Sequence, residues 1–422
     1  MKNKLTFLSA ILLLCILPVF SCSCYKVTMG DKTMYGMNYD TWFSQPRIWF
    51  ETKGYGAVFT GANYQGGNDL TPQSGMNEYG LSFGTLATPT PNKVKSIDNK
   101  KQILSRSNYL KDILHSCKNV EEVKSFIEEY DHHVLSNDVF IYTEKSGKYL
   151  IVEPYELILG SEDKYVLANF CPSTITDFRS IKQERYVNGT EFLKNKIDTS
   201  LAFCTALSDT MHVCRKKIGD GTLLTSIWDL SGGVVHLYFY HDYKHSVQFN
   251  LKKELLKGNH SYEIASLFPA NSEYQKLLEF QTPLNNNKID WFLRISLTLF
   301  VFTFFYFLIS YFRNLETEFS NYKLLLATLS VCLAYYMIAL ATEMGIYYFP
   351  SPYKNYKFGL IDIASYLPYI LILLIIPLLL INRKILKSNA WKTFSRFLFT
   401  INTITYLILI ILFAYWGFYT IN

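Results

Sequence analysis

Residues 19–40 read VFSCSCYKVTMGDKTMYGMNYD, and the Ser21-Cys22 junction within them decides how the rest of the chain is read. Upstream, residues 1–21 carry Lys2 and Lys4, then an apolar run over 8–20, then the small Ser21. That is the three-part layout of a secretory signal, and cleavage after Ser21, with Val19 three positions back, makes Cys22 the first residue of an exported chain. A terminal cysteine carries a thiol (pKa ~8.5) and an α-amine (pKa ~8) on one residue, so the amine acts as the thiol's own general base and no histidine is needed. The same junction also fits a bacterial lipobox, in which the thiol is acylated and only tethers the protein. On the local sequence both readings stand.

The composition places the chain beside lipid. Its 422 residues exceed one average domain, 49% are hydrophobic, 16% are aromatic and only 18% are charged, with a net charge of +6. Disorder and a nucleic-acid partner both fit poorly with so little charge and with no basic stripe interleaved with aromatics. Four uncharged stretches, at about 295–312, 324–342, 363–382 and 397–420, each have the length of a helix crossing a ~30 Å hydrocarbon core. They predict a membrane domain over 289–422 with four transmembrane helices. If the signal exports the N-terminal part, loops 313–323 and 383–396 lie inside. These hold Arg313, Lys323, Arg383, Lys384, Lys387, Lys392 and Arg396, whereas the loop expected outside holds only Lys354 and Lys357. Positive-inside bias therefore agrees with the signal, and the expected localisation is a multi-pass membrane protein with an extracytoplasmic catalytic domain.

Between signal and spans, residues 22–268 read as an α+β domain. Hairpins are predicted at 139–142 with 149–152 and at 223–228 with 234–240, around Lys145-Ser146-Gly147 and Ser231-Gly232-Gly233. A helix pair is predicted at 109–116 and 120–130, the second opened by Asn119 and Glu122. Residues 269–288, with Pro269, Pro283 and Asn285-Asn286-Asn287, read as a linker.

Fourteen residues after Cys22 comes Gly36-Met37-Asn38-Tyr39-Asp40, and Gly75-Met76-Asn77-Glu78-Tyr79-Gly80-Leu81 follows. Here the chain resembles the cysteine N-terminal nucleophile hydrolases of the choloylglycine hydrolase and isopenicillin N acyltransferase group. Those proteins open with Cys-Thr or Cys-Ser, continue to G-x-N-x-D and then show M-N-E-x-G-L. Tyr165-Val166-Leu167-Ala168-Asn169 is similar to the family's strand ending in T-N, Glu184-Arg185-Tyr186 to its S-R-F segment, and residues 221–229 to its late T-x-x-T/S-S-V-x-D hairpin. The matches run in family order across nearly all of 22–260.

The resemblance implies a four-layer αββα sandwich, followed here by the all-α membrane region. It implies an amidase that hydrolyses a linear, N-acyl amide C–N bond through a Cys22 acyl-enzyme. Cys22 is then the nucleophile and its α-amine the base. Asp40 orients both, Asn169 donates to the oxyanion, Arg185 holds the Cys22–Asp40 arrangement, and Asn38 and Asn77 line the substrate site. The implied partner is a small-molecule amide, with membrane lipid around the spans and no cofactor. Met37 stands where bile salt hydrolases carry Arg, and the segment after Gly80-Leu81 lacks their G-L-N, so bile salts are disfavoured. Two alternatives stay open: acyl transfer to an amine from the same acyl-enzyme, and a lipid-anchored surface protein without catalysis.

Other motifs compete less well. Gly80-Leu81-Ser82-Phe83-Gly84 fits G-x-S-x-G, but Pro89 and Pro91 forbid the helix that a nucleophile elbow needs. His132, His133, His236, His241 and His245 come without HExxH or an accompanying carboxylate pattern, and no cysteine pair has metal spacing, so no metal site is expected. Cys204 and Cys214 form either a disulfide or two buried thiols.

Overall fold

The computed structural model describes residues 22–41, 45–63, 70–88, 100–154, 156–215, 217–313, 316–354, 359–388 and 390–420. The signal segment 1–21 therefore lies outside the described residues. The chain divides into two compact units, one within Phe20–Leu278 and one within Glu279–Asn422.

The first unit runs β1 (Ser23–Met29), β2 (Lys32–Thr41), β3 (Pro46–Glu51), β4 (Ala57–Asn63), β5 (Leu70–Asn77), β6 (Ser82–Ala87) and β7 (Lys101–Gln102) into helices α1 (Arg106–Ser116) and α2 (Val120–Glu128). Next come β8 (Tyr130–Asp131), β9 (Asp138–Thr143), β10 (Tyr149–Val152), β11 (Leu157–Gly160) and β12 (Lys164–Leu167), then α3 (Glu184–Phe192) and α4 (Leu201–Met211). It closes with β13 (Gly221–Asp229), β14 (Val234–Phe239), β15 (Asp242–Asn250), α5 (Leu251–Leu255), β16 (His260–Glu263) and α6 (Ser272–Glu279).

Two antiparallel sheets result, a six-stranded one in the order β12-β1-β2-β13-β14-β15 and an eight-stranded one in the order β11-β10-β9-β6-β5-β4-β3-β16. They face each other: Ser74 of β5 and Ser226 of β13 are hydrogen-bonded at 3.1 Å, and a Cβ on Gly84 of β6 would lie 1.8 Å from the Tyr35 hydroxyl of β2. The outer faces carry helices. Leu110, Ile113 and Leu114 of α1 with Val120, Val123 and Ile127 of α2 pack on Phe59, Phe83 and Tyr142 of the larger sheet. Cys204, Leu207 and Met211 of α4 pack on Tyr25, Val27, Met34 and Ile227 of the smaller one. The layers thus run helix, sheet, sheet, helix, as the resemblance implied. Because both faces of the smaller sheet are covered, β2 is buried along nearly its whole length, and its residues read as a continuous buried run instead of an apolar-polar alternation.

The predicted hairpins form as β9–β10 and β13–β14, with Gly147 (φ +89°) and Gly233 (φ +62°) in their turns. The predicted helix pair forms as α1 and α2, and the Asn119 side chain accepts from the Glu122 N–H at 2.9 Å. Where the sequence reads as a linker the structure differs. Asn271 caps α6 by accepting from the N–H groups of Glu273 and Tyr274, and Tyr274 lies 4.7 Å from Phe239. Asn286 likewise accepts from Lys288 N–H at the start of the next helix. These asparagines are caps, a role that composition does not separate from a turn.

Among the described residues, the second unit holds four helices long and apolar enough to cross a membrane: α7 (Asn287–Arg313), α8 (Ser320–Thr342), the pair α10 (Leu360–Ala364) and α11 (Leu367–Lys387), and α12 (Thr393–Tyr415), with the one-turn α9 (Gly345–Tyr348) between the second and third. At 1.5 Å per residue, 27 residues of α7 extend about 40 Å. Two polar pairs bridge helices in this unit: Asn402 donates to Thr303 at 2.9 Å, and Tyr306 is bonded to Ser395 at 2.7 Å. The last helix ends at Tyr415, ahead of the expected 420, where Gly417 turns the chain at φ +69°.

Candidate active site

Cys22 stands directly before β1, whose neighbours on the two sides are β12 and β2. A residue at that point is enclosed by protein, and Cys22 is 8% exposed. Its thiol donates to the backbone oxygen of Asp40 at 3.8 Å, since Asp40 lies at the end of the strand that pairs with β1. Asp40 is itself buried. Its Oδ1 accepts from the Thr222 hydroxyl of β13, while its Oδ2 is buried without a hydrogen-bond partner among the described residues.

Arg185, in the first turn of α3, links the rest. Its Nε donates to the Cys22 carbonyl at 3.2 Å and its Nη2 to Asn169 Oδ1 at 2.6 Å and to Gln183 Oε1 at 3.1 Å. Asn169 follows β12 and reaches across to the larger sheet, where its Nδ2 donates to the Ala87 carbonyl at the end of β6 at 2.5 Å. Gln183 fixes the same residue from both sides: its Oε1 accepts from Asn169 N–H at 3.2 Å and its Nε2 donates to Asn169 O at 3.0 Å. Four of the sequence-selected residues, Cys22, Asp40, Asn169 and Arg185, therefore form one connected cluster. Asn169 keeps one Nδ2 hydrogen beyond the bond to Ala87.

Burial dominates the electrostatics. It pushes the Asp40 carboxyl up to about 7, against the opposing pull of Arg185 and Thr222. It pushes the Cys22 thiol up to about 12, and the Asp40 carboxylate adds to that rise. Burial also lowers Arg185, with Asp40 holding its charge in place. While Cys22 is joined to Ser21, its nitrogen is an amide, so the thiol has no base and stays protonated at neutral pH.

The two asparagines expected at the substrate are engaged elsewhere. Asn38 Nδ2 donates to the Ser208 carbonyl of α4 at 2.9 Å and its Oδ1 accepts from Thr225 at 2.8 Å, on the helix-covered face of the smaller sheet. Asn77 Nδ2 donates to the carbonyls of Leu114 and Cys117, and its Oδ1 accepts from the N–H groups of Tyr79 and Leu81, so it pins the β5–β6 turn to the end of α1. Thr222 and Gln183 belong to the cluster and were missed. Thr222 lies within the matched 221–229 segment, which signals the hairpin but not its contact with Asp40; Gln183 gives no signal. Ser82 is a fully buried residue at the start of β6 that donates to Thr143 O, and the residues directly after it continue that strand to Ala87. The described cysteines are free thiols, with Cys204 buried and Cys214 exposed.

No protein-family model matches the chain, and no curated protein does. Among solved structures, a variant of the conjugated bile acid hydrolase from Clostridium perfringens is 18% identical with a TM-score of 0.45, over 59% of this chain and 97% of that one. A second variant of that hydrolase is 17% identical with a TM-score of 0.43 over the same shares. Penicillin V acylase from Agrobacterium tumefaciens is 15% identical with a TM-score of 0.42, over 56% of this chain and 87% of that one.

Proposed function

We propose that the chain is a membrane-anchored, extracytoplasmic amidase that hydrolyses a linear N-acyl amide through an acyl-enzyme on Cys22. The observation that carries this reading is that Asp40, whose backbone oxygen accepts from the Cys22 thiol, keeps its Oδ2 buried without a hydrogen-bond partner among the described residues, while signal removal would turn the Cys22 nitrogen into an amine. A buried carboxylate oxygen without a donor costs free energy, and an α-ammonium on Cys22 supplies that donor.

Once residues 1–21 are removed, the Cys22 amine takes the thiol proton and the thiolate attacks the amide carbonyl carbon. The remaining Asn169 Nδ2 hydrogen donates to the oxyanion, a type of contact whose loss costs ~3 kcal/mol in comparable sites. The ammonium returns its proton to the amide nitrogen as the C–N bond breaks, which releases the amine product and leaves a thioester. The same amine then takes a proton from water, hydroxide attacks the thioester, and the acid leaves as the thiol is re-formed. Asp40 orients the ammonium, and Arg185 keeps Asp40 ionised while gripping the Cys22 carbonyl. The four apolar helices anchor this chemistry at a lipid surface, where N-acyl chains partition.

The test is mass spectrometry of the N-terminal peptide of the purified full chain, before and during turnover of a panel of N-acyl amides. A free amine on Cys22 that gains the acyl mass during turnover supports the reading. Retained Ser21, or a lipid-modified Cys22, overturns it and favours the surface-anchored protein.

A further inference from the structure

Three residues outside the Cys22 cluster converge from segments far apart in the chain. Cys214 lies between α4 and β13, His241 lies in the turn joining β14 to β15, and Glu273 lies in the first turn of α6. The Cys214 sulfur, a ring nitrogen of His241 and a carboxylate oxygen of Glu273 all lie within 4.8 Å of one another.

His241 supplies an independent observation. Its side chain is 7% exposed, yet both ring nitrogens are buried and neither has a hydrogen-bond partner among the described residues. The Glu273 carboxylate faces it, with Oε2 3.7 Å from Nδ1, too far for a hydrogen bond. A buried imidazole nearly always satisfies at least one nitrogen, and leaving it bare costs about 1–3 kcal/mol. The backbone holds it there deliberately: Tyr240 and His241 both sit at positive φ, +49° and +63°, in a two-residue turn that favours Gly or Asn. His212 stacks on the ring at 5.6 Å and offers it no bond.

We propose that Cys214, His241 and Glu273 bind a zinc ion, with water in the fourth position. One thiolate, one imidazole and one carboxylate form a mixed soft and borderline donor set that suits tetrahedral Zn²⁺ and not the all-oxygen preference of Ca²⁺ or Mg²⁺. Coordination gives the bare imidazole nitrogen its partner and releases the Cys214 thiol proton to solvent. The ion would join the segment before β13 to the β14–β15 turn and to α6. Within that segment Arg215 pairs with Asp220 at 2.6 Å, and Val213 N–H donates at 2.9 Å to the Thr222 hydroxyl that in turn donates to Asp40. Sequence spacing hides the site because no two ligands share a local motif.

The test uses tag-free full chain in detergent, stripped with chelator and titrated with Co²⁺ and then Zn²⁺, in both the wild-type and Cys22→Ala backgrounds. Expected are one equivalent bound per chain, a thiolate-to-cobalt charge-transfer band and displacement of that band by zinc. Cys214→Ser loses the band, and His241→Ala and Glu273→Gln lose stoichiometric binding. Glu273 is half-exposed, so Glu273→Gln unfolds with wild-type in the presence of chelator, and only the wild-type chain gains thermal stability on adding zinc. No uptake by the stripped chain, a band that persists in Cys214→Ser, or uptake unaffected by His241→Ala overturns the proposal.

Discussion

In the uncleaved chain the Asp40 carboxyl imposes a pH dependence on stability that signal removal abolishes. Burial raises this carboxyl from its ordinary 3.8 to about 7. The unfolded chain gives up the proton near its ordinary value, whereas the folded chain keeps it until about neutrality. Between those limits the folded state holds the extra proton, so stability falls as pH rises; it is highest below about 4 and the loss is complete above about 7. At about 1.4 kcal/mol per pH unit the loss is on the order of 4 kcal/mol. Ser21→Leu, a bulky residue at the cleavage position, keeps the chain uncleaved. Urea unfolding of this form, followed by tryptophan fluorescence at several pH values with and without Asp40→Asn, isolates the carboxyl. With a slope of about 2 kcal/mol per molar urea, its midpoint drops by ~2 M relative to the Asp40→Asn form across this window. In the cleaved chain the Cys22 ammonium keeps Asp40 ionised, so Asp40→Asn lowers stability at neutral pH. Equal pH profiles with and without Asp40, or an effect of the same sign at neutral pH in both forms, would refute the reasoning.

Cys22→Ala abolishes turnover, whereas Cys24→Ala, a substitution inside β1, retains much of it; equal loss in both assays removes Cys22 from the nucleophile role. Gly84→Ala destabilises the chain by about 1–3 kcal/mol in thermal melts because its Cβ meets the Tyr35 hydroxyl, and Tyr35→Phe recovers part of that loss; a neutral Gly84→Ala breaks the described contact between the sheets. Single-cysteine labelling from outside intact cells reaches a probe at Asn422 and misses one at Ser388, and a protected Asn422 means an odd number of spans.

The parts of the fold legible in the sequence are those set by neighbours along the chain. Lys145-Ser146-Gly147 marks a turn because Gly147 takes a positive φ, and Asn119 marks a helix start because its partner is three residues away. Helices α3 and α4 went unread. Leu201–Met211 mixes Ser208 and Cys204 into its buried face and carries only a weak stripe. The site was legible only as an ordered series of short motifs. Cys22, Asp40, Asn169 and Arg185 lie in those motifs, but the bonds joining them depend on strand register. Gln183 and Thr222 enter through side-chain contacts that no local pattern reports, and the same holds for Cys214, His241 and Glu273.

The place of β1 and β2 in the smaller sheet governs how the chain is built. These strands are synthesised first and form their own hairpin, yet the hairpin lies in the interior of the sheet, with β12 beside β1 and β13 beside β2. Asp40 and Thr222 are separated by 182 positions. At roughly 5–20 residues per second, roughly 10–40 s pass before the second partner strand exists. Throughout that interval the hairpin presents two open, apolar edges, the condition under which strands pair with the wrong chain. Assembly of this unit therefore depends on keeping the early hairpin from pairing elsewhere until β12 and β13 have been made.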